Sequence, residues 1–234
     1  FNGTLQQPAE IACTAPEQAV EGSVKATVRI YPSSFSQVVE GLDAIFQRPY
    51  GCFEQTSSTT YPNVLALSYL KQNNRSLPEV EAKARQYIHL GYQRLLGFEV
   101  SGGGFDWFGN PPANRTLTAY GLMEFQDMAR VHDVDPKLIE RTRQWLLGQR
   151  QADGSWDPEG HMLHEDPTHG TGGYARLSTT AYLTWAIFQS GNAQADWLAT
   201  RQYLLTHRPE TIDDPYVLAL VANALLAIYP AGTD

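Results

Sequence analysis

A cysteine and a glutamine three positions apart, Cys52 and Gln55, are the residues of this sequence whose types and spacing could do covalent chemistry. Tyr50-Gly51 is typical of a turn, and a helix that begins near Cys52 would place positions i and i+3 on one face, with the thiol beside the carboxamide. Loss of ammonia would then join the two side chains in an internal thioester, an acyl group with a good thiolate leaving group. The alternative is a free, buried cysteine that behaves as a small hydrophobic residue at a helix start.

The five residues from Gly51 to Gln55 form the pattern Gly-Cys-x-Glu-Gln. This pattern resembles the thioester site of the alpha-2-macroglobulin and complement family. A preceding Pro-Tyr at 49–50 and a bulky apolar residue at x, here Phe53, resemble the bacterial alpha-2-macroglobulins more closely than the vertebrate proteins, and the run at 61–67 continues the resemblance. The family implies an internal thioester between the cysteine and the glutamine, with no external cofactor and no metal.

The resemblance also implies a histidine that decides what the thioester reacts with. When the turn at 153–154 is aligned with the family, this position falls on His164, and an acidic residue follows two positions later at Asp166. The neutral imidazole of His164 would attack the Gln55 acyl carbon and release the Cys52 thiolate, which would then act as general base for a target hydroxyl. The expected product is an ester, so hydroxyl groups and water would be preferred over lysine amines.

Other interpretations of this loop stay open. His161 could take the role instead, and His164 could be an ordinary solvated histidine. Together with His169 and the neighbouring acidic residues, the three histidines could bind zinc, although their spacing matches no established zinc pattern.

Further residues could exclude water from the predicted site or orient the first helical turn. A thioester exposed to water hydrolyses, so nearby aromatic side chains are candidates for a shield. These candidates are Tyr50, Phe53, Tyr61, Trp107 and Phe108. The family pattern also includes Glu54, which would cap or orient the first turn at the positive end of the helix dipole.

The composition restricts the class of partner. The chain carries 17 Lys and Arg against 25 Asp and Glu, a net charge of −8, which disfavours nucleic acid and anionic membranes as partners. No apolar run reaches the roughly 20 residues of a membrane span. With only two cysteines, Cys13 and Cys52, a disulfide framework is excluded.

Apolar residues at spacings of three and four predict about eight helices after residue 35. Their ranges are 37–47, 54–72, 78–96, 114–131, 136–150, 178–190, 196–207 and 216–229. The connections at 101–107 and 149–156 are rich in glycine and aromatic residues, and we expect their aromatic side chains to fold back onto the helices. Such helical hairpins resemble alpha/alpha toroids, so the predicted fold is mainly α, with a toroid that is incomplete at its C-terminal end.

The first 34 residues differ from the rest. The stretch from Val20 to Tyr31 alternates β-branched residues in part, which predicts one or two strands closed by Pro32. We therefore expect residues 1–34 to end a preceding β module, CUB-like or macroglobulin-like, and residues 35–234 to form a thioester domain.

The leading functional hypothesis is a bacterial-type alpha-2-macroglobulin domain, a protease (endopeptidase) inhibitor that acts as a single-turnover covalent trap rather than an enzyme. Its expected partners are target proteases, nucleophiles on nearby cell surfaces and other domains of a larger exported parent chain, in defence of the cell envelope. The expected location is extracellular or periplasmic.

Two alternatives come from other functional classes. A terpene cyclase is suggested by Gln149 followed by Gly154-x-Trp156, but its Asp-x-Asp-Asp acid is reduced here to Asp213-Asp214. A prenyltransferase zinc site would need a spare cysteine. The third class is a non-reactive structural or adhesive toroid.

Overall fold

Seven α-helices follow one another in the part of the chain that the structure describes. The structure is a computed structural model, and it describes residues 3–4, 7–8, 10–31, 41, 46–74, 76–159, 168, 172–191 and 196–228. The helices are α1 (Phe53–Gln72), α2 (Pro78–Leu96), α3 (Arg115–Met128), α4 (Pro136–Gly148), α5 (Ala175–Phe188), α6 (Leu198–Leu205) and α7 (Pro215–Ile228), with short 3-10 helices at Gly172–Tyr174 and Pro209–Thr211. They confirm seven of the predicted helices, and the predicted helix at 37–47 falls largely outside the described residues.

The chain divides into two compact units, Phe1–Glu40 and Gly41–Asp234. In the first unit, the described residues 10–31 contain turns but no strand. The predicted strands between Val20 and Tyr31 are therefore not confirmed. β-branched side chains favour a strand when they pack on the face of a sheet, whereas the valines and the isoleucine of this stretch are between 61% and 81% exposed.

Helices of the second unit alternate between two layers. Helices α1, α3, α5 and α7 pack against one another in series. Helix α2 lies against α1, helix α4 against α3 and α5, and helix α6 against α5 and α7. This alternation of inner and outer helices confirms the predicted mainly α, toroid-type fold of helical hairpins.

Helix α2 illustrates why the hydrophobic spacing places these helices correctly. Ala84, Ile88, Tyr92 and Leu95 recur every three or four residues, and all four are buried. Together they form one apolar stripe that faces α1. Pro78 begins the helix at a position where a missing N–H donor costs little.

Two connections between helices repeat one arrangement. The backbone N–H of Phe105 donates to the Thr118 hydroxyl in α3 at 2.8 Å, and that of Trp156 donates to the Thr180 hydroxyl in α5 at 3.0 Å. Both aromatic side chains are completely buried, and the Trp156 indole Nε1–H donates to the Leu146 carbonyl at 2.8 Å. The expectation that these aromatic residues fold back onto the helices is confirmed.

The acidic pair Asp213-Asp214 precedes the last helix. The Asp214 carboxylate accepts a hydrogen bond from the Tyr216 backbone N–H at 2.8 Å, which is a helix-capping contact at the start of α7. This capping contact explains why an aspartate stands at position 214, and no catalytic role is needed to explain it.

Candidate functional site

Cys52 and Gln55 meet at the start of α1. Cys52 is the N-cap residue, with an extended backbone (φ −75°, ψ −175°), and Gln55 is the third residue of the helix. The two residues are arranged as a capping box, in which the Gln55 Oε1 accepts a hydrogen bond from the Cys52 backbone N–H at 3.2 Å and the Cys52 side chain faces the Gln55 backbone N–H. The helix start therefore holds the thiol and the carboxamide side by side.

The Gln55 side chain fills space that is available only because residue 51 is glycine. Gly51 has a φ of +74°, in the left-handed region. A Cβ atom at this position would lie 1.9 Å from the Gln55 Oε1 and 2.7 Å from its Cδ. The glutamine carbonyl is thus folded back over the glycine, next to a cysteine that is only 6% exposed, while Gln55 itself is exposed.

The turn before the helix is held by two polar side chains. The Arg94 guanidinium, in the last turn of α2, donates from Nη2 to the Gly51 carbonyl at 2.8 Å. The Thr56 hydroxyl donates to the Tyr50 carbonyl at 3.1 Å. These contacts connect the turn to both helices of the first hairpin.

Two of the aromatic shield candidates lie in the interior. Phe53 is completely buried, with its ring centroid 6.2 Å from that of Phe98 and 5.4 Å from that of Phe105. Its backbone N–H donates to the Trp107 carbonyl at 3.0 Å, and Trp107 is buried as well. Phe53 therefore anchors the start of α1 in the core, and the loop that carries Trp107 closes over it.

The remaining aromatic candidates have different surroundings. Tyr50 and Phe108 are 55% and 64% exposed. Tyr61 is half-buried, and its hydroxyl donates to Asp127 Oδ2 at 2.6 Å, which joins α1 to α3. Burial raises the pKa of the Tyr61 phenol, and the hydrogen bond to the Asp127 carboxylate raises it further.

A buried carboxyl group lies on α3, where it faces α1. Glu124 is completely buried, and burial raises its pKa to about 8. The nearby Ser57 hydroxyl lowers the pKa of Glu124 by a smaller amount. The hydroxyl and both carboxyl oxygens nevertheless lack a hydrogen-bond partner of normal geometry among the described residues. Burial also raises the pKa of Tyr120, with Glu124 and Glu54 as further causes, so the half-buried Glu54 of the first turn of α1 belongs to the same electrostatic neighbourhood.

The second half of the predicted site lies outside the described residues. This holds for His164 and Asp166, and also for His161 and His169. Within the described ranges, no group of three or more His, Cys, Asp or Glu could hold a metal ion. In the same ranges, no helix has the length and apolar character needed to cross a bilayer.

Reasoning from the sequence missed Arg94, Thr56 and Glu124. The first two could not be found, because a charged residue in a last turn and a threonine in a first turn are common and carry no periodic signal. Glu124 had a signal. Glu124 lies about one turn after Gly121 on a buried face of α3. A charged residue at such a position is unusual, because the buried face of a helix is normally apolar.

Comparison with known proteins identifies the family. The family model described as the A-macroglobulin TED domain matches residues 24–232. The chain is 26% identical over 219 residues to ovostatin of Gallus gallus, covering 92% of this chain and 15% of that protein. It is 25% identical over 214 residues to thioester-containing protein 1 allele S1 of Anopheles gambiae, covering 90% of this chain and 16% of that protein.

Solved structures show the same fold. Native alpha-2-macroglobulin from Escherichia coli, from domain MG7 to the C-terminus, superposes with a TM-score of 0.58 at 21% identity, covering 83% of this chain and 29% of that one. Of ovostatin and thioester-containing protein 1, the curated relatives it matches, the chain spans about a sixth of the length. Because the family model covers most of the chain, the chain belongs to the A-macroglobulin TED domain family.

Proposed function

We propose that Cys52 and Gln55 form an internal thioester. The Cys52 sulfur adds to the Gln55 Cδ and gives up its thiol proton to the side-chain nitrogen, which leaves as ammonia, so that a C–S bond replaces the C–N bond. The observation that carries this proposal is the capping box, in which the glutamine carbonyl is held 3.2 Å from the Cys52 N–H beside a buried sulfur. Holding the reacting groups side by side removes most of the entropic barrier to such a step.

The surroundings of the pair fit transfer of the acyl group to an external nucleophile. The sulfur is buried and Gln55 is exposed, so an incoming nucleophile can approach the acyl carbon from the solvent side. Its oxygen or nitrogen bonds to Cδ, the C–S bond breaks, and the electron pair leaves with the sulfur. The N-terminal end of α1 stabilises the thiolate through the positive end of the helix dipole. Because the acyl group stays on the target, the reaction is a single turnover.

We assign His164 as the residue that selects hydroxyl targets, with Asp166 as its acidic neighbour. The imidazole takes the acyl group from sulfur, and the freed thiolate accepts the proton of the attacking hydroxyl. Support for this assignment comes from the position of His164 ten residues after Gly154, since Gly154 belongs to the turn that carries the buried Trp156.

The domain would act within a larger exported protein that inhibits proteases by covalent capture, at an extracellular or periplasmic site. Membership of the A-macroglobulin TED family supports this role, and so does the small share of each relative that the chain covers. The partners are a protease or a nearby surface that offers hydroxyl or amine nucleophiles.

Intact mass spectrometry of freshly purified protein tests the thioester. We expect the wild-type protein to be about 17 Da lighter than its sequence, through loss of ammonia, and to take up one methylamine with release of one thiol. Cys52→Ala should abolish both effects. Cys13→Ala is the matched control, because Cys13 is an exposed free cysteine, and it should keep both. Full mass and a freely alkylated Cys52 in the wild type would refute the proposal.

Competition between glycerol and methylamine tests the role of His164. We expect His164→Asn to reduce transfer to glycerol at least 10-fold while transfer to methylamine continues, because the variant loses general acid–base and nucleophilic help that contributes about 10²-fold or more. His161→Asn is the control and should behave like the wild type. If the wild type transferred to methylamine far faster than to glycerol, the assignment of His164 would be wrong.

A further inference from the structure

We propose that the Cys52 backbone N–H is the oxyanion donor of the thioester reactions and that Arg94 is a positioning residue that orients this donor. The inference rests on the proposed Cys52–Gln55 thioester. The Gln55 Oε1 lies 3.2 Å from the Cys52 nitrogen. When sulfur adds to Cδ, or when a nucleophile later adds to the thioester, this oxygen takes the negative charge of the tetrahedral intermediate. A backbone N–H already aimed at it stabilises that charge without reorganisation.

Arg94 reaches this donor through one rigid peptide unit. The Gly51 carbonyl and the Cys52 N–H belong to the same planar peptide and point to opposite sides of it. Arg94 Nη2 donates to the carbonyl oxygen at 2.8 Å, and the N–H on the other edge donates to Gln55. The guanidinium therefore fixes the direction of the N–H, and by polarising the peptide it makes the N–H a stronger donor.

Packing alone does not hold this peptide in place. Gln55 is exposed, and Gly51 has the conformational freedom of a glycine at a φ of +74°. The peptides on either side are fixed differently, since the Tyr50 carbonyl accepts from Thr56 and the Phe53 N–H donates to the Trp107 carbonyl. The Gly51 carbonyl itself has a second, longer contact with the Thr56 hydroxyl at 3.5 Å, against 2.8 Å for Arg94. Removing the Arg94 guanidinium would thus leave the peptide that carries the donor with only this long contact, while the buried anchors of the turn remain.

Two substitutions of Arg94 and one matched control test the proposal. Arg94→Met removes the guanidinium and keeps a long apolar stem. Because a hydrogen bond from a charged group is lost, we expect methylamine-induced thiol release to become about 10-fold slower. Arg94→Lys should recover part of the rate, since an ammonium can still donate to the carbonyl. Arg85→Met is the control, because Arg85 is also exposed on α2 but donates to the Val131 carbonyl, away from the turn, and its rate should equal that of the wild type.

Thermal unfolding separates positioning from a general loss of structure. Arg94 is exposed, so we expect the Tm of Arg94→Met to stay close to that of Arg85→Met while the two rates differ. Equal rates of thiol release for these two variants would overturn the role of Arg94. A Tm of Arg94→Met well below that of Arg85→Met would overturn it as well, because loss of structure would then explain the slower rate. Neither result would contradict the proposed thioester. A wild-type protein with no mass deficit and no thiol release would instead overturn the proposed function, and this inference with it.

Discussion

Glu124 is expected to make the stability of the domain fall as the pH rises through neutrality. Its carboxyl group is completely buried on α3, and neither oxygen has a hydrogen-bond partner of normal geometry among the described residues. Burial in an apolar environment disfavours the charged form and raises the pKa from 4.5 to about 8. We expect Glu124→Gln, which keeps the shape and removes the charge, to abolish this pH dependence.

The magnitude follows from proton linkage. Between pH 4.5 and about 8 the folded state keeps the Glu124 proton and the unfolded state has lost it. Stability is therefore greatest below the unfolded pKa, and it falls as the pH rises, by up to about 1.4 kcal/mol per pH unit, until the folded pKa is passed. From pH 5 to pH 8 the loss is on the order of 3 to 4 kcal/mol, a large share of the typical 5–15 kcal/mol of a domain.

Urea unfolding at half-unit steps from pH 5 to pH 8.5 measures the effect. The Cys52→Ala background keeps the covalent state constant at every pH, and the difference between the Gln variant and its parent cancels all other titrating groups. We expect this difference to shift by roughly 3 to 4 kcal/mol in favour of the variant between pH 5 and pH 8.

A matched substitution provides the control for burial. Glu140 on α4 is exposed, and its pKa is lowered by the hydrogen bond from Gln144 and by Arg143. The stability that Glu140 contributes is present above its unfolded pKa and is lost only as the pH falls below that value. The difference in unfolding free energy between Glu140→Gln and its parent should therefore stay constant from pH 5 to pH 8.5. A flat difference for Glu124→Gln as well would refute the reasoning from burial.

Two further predictions concern glycines with positive φ. Gly51→Ala should abolish methylamine-induced thiol release, because its Cβ would occupy the place of the Gln55 carbonyl, whereas Gly191→Ala, with a φ of +68° and no atom within 4 Å of its Cβ, shares the backbone strain and should keep the release. Gly154→Ala should cost about 3 kcal/mol or more in urea unfolding, because its Cβ would lie 2.3 Å from the backbone of α6 at a φ of +87°. Gly148→Ala, within helix α4 and with no atom within 4 Å of its Cβ, should change stability by less than about 1 kcal/mol, and an equal cost for both would contradict the steric argument.

The predictions that succeeded depend on local geometry. The spacing of Cys52 and Gln55 determines their proximity once a helix begins between them, because three residues make nearly one turn. The apolar period places α2 at its observed bounds for a similar reason. The N-terminal segment shows the limit of such reasoning, since alternation favours a strand only where another strand accepts its hydrogen bonds, and residues 20–31 have no such partner among the described residues.

The amino-acid sequence by itself determined the order of the helices, the aromatic turns and the proximity of Cys52 and Gln55 at the start of α1. Only the tertiary structure decided what surrounds that pair. Arg94 reaches Gly51 across 43 positions of sequence, and Phe53 proved to be an anchor of the core because loop residues such as Phe105 pack around it. Such contacts depend on how whole helices and loops pack, and no short spacing in the sequence encodes them.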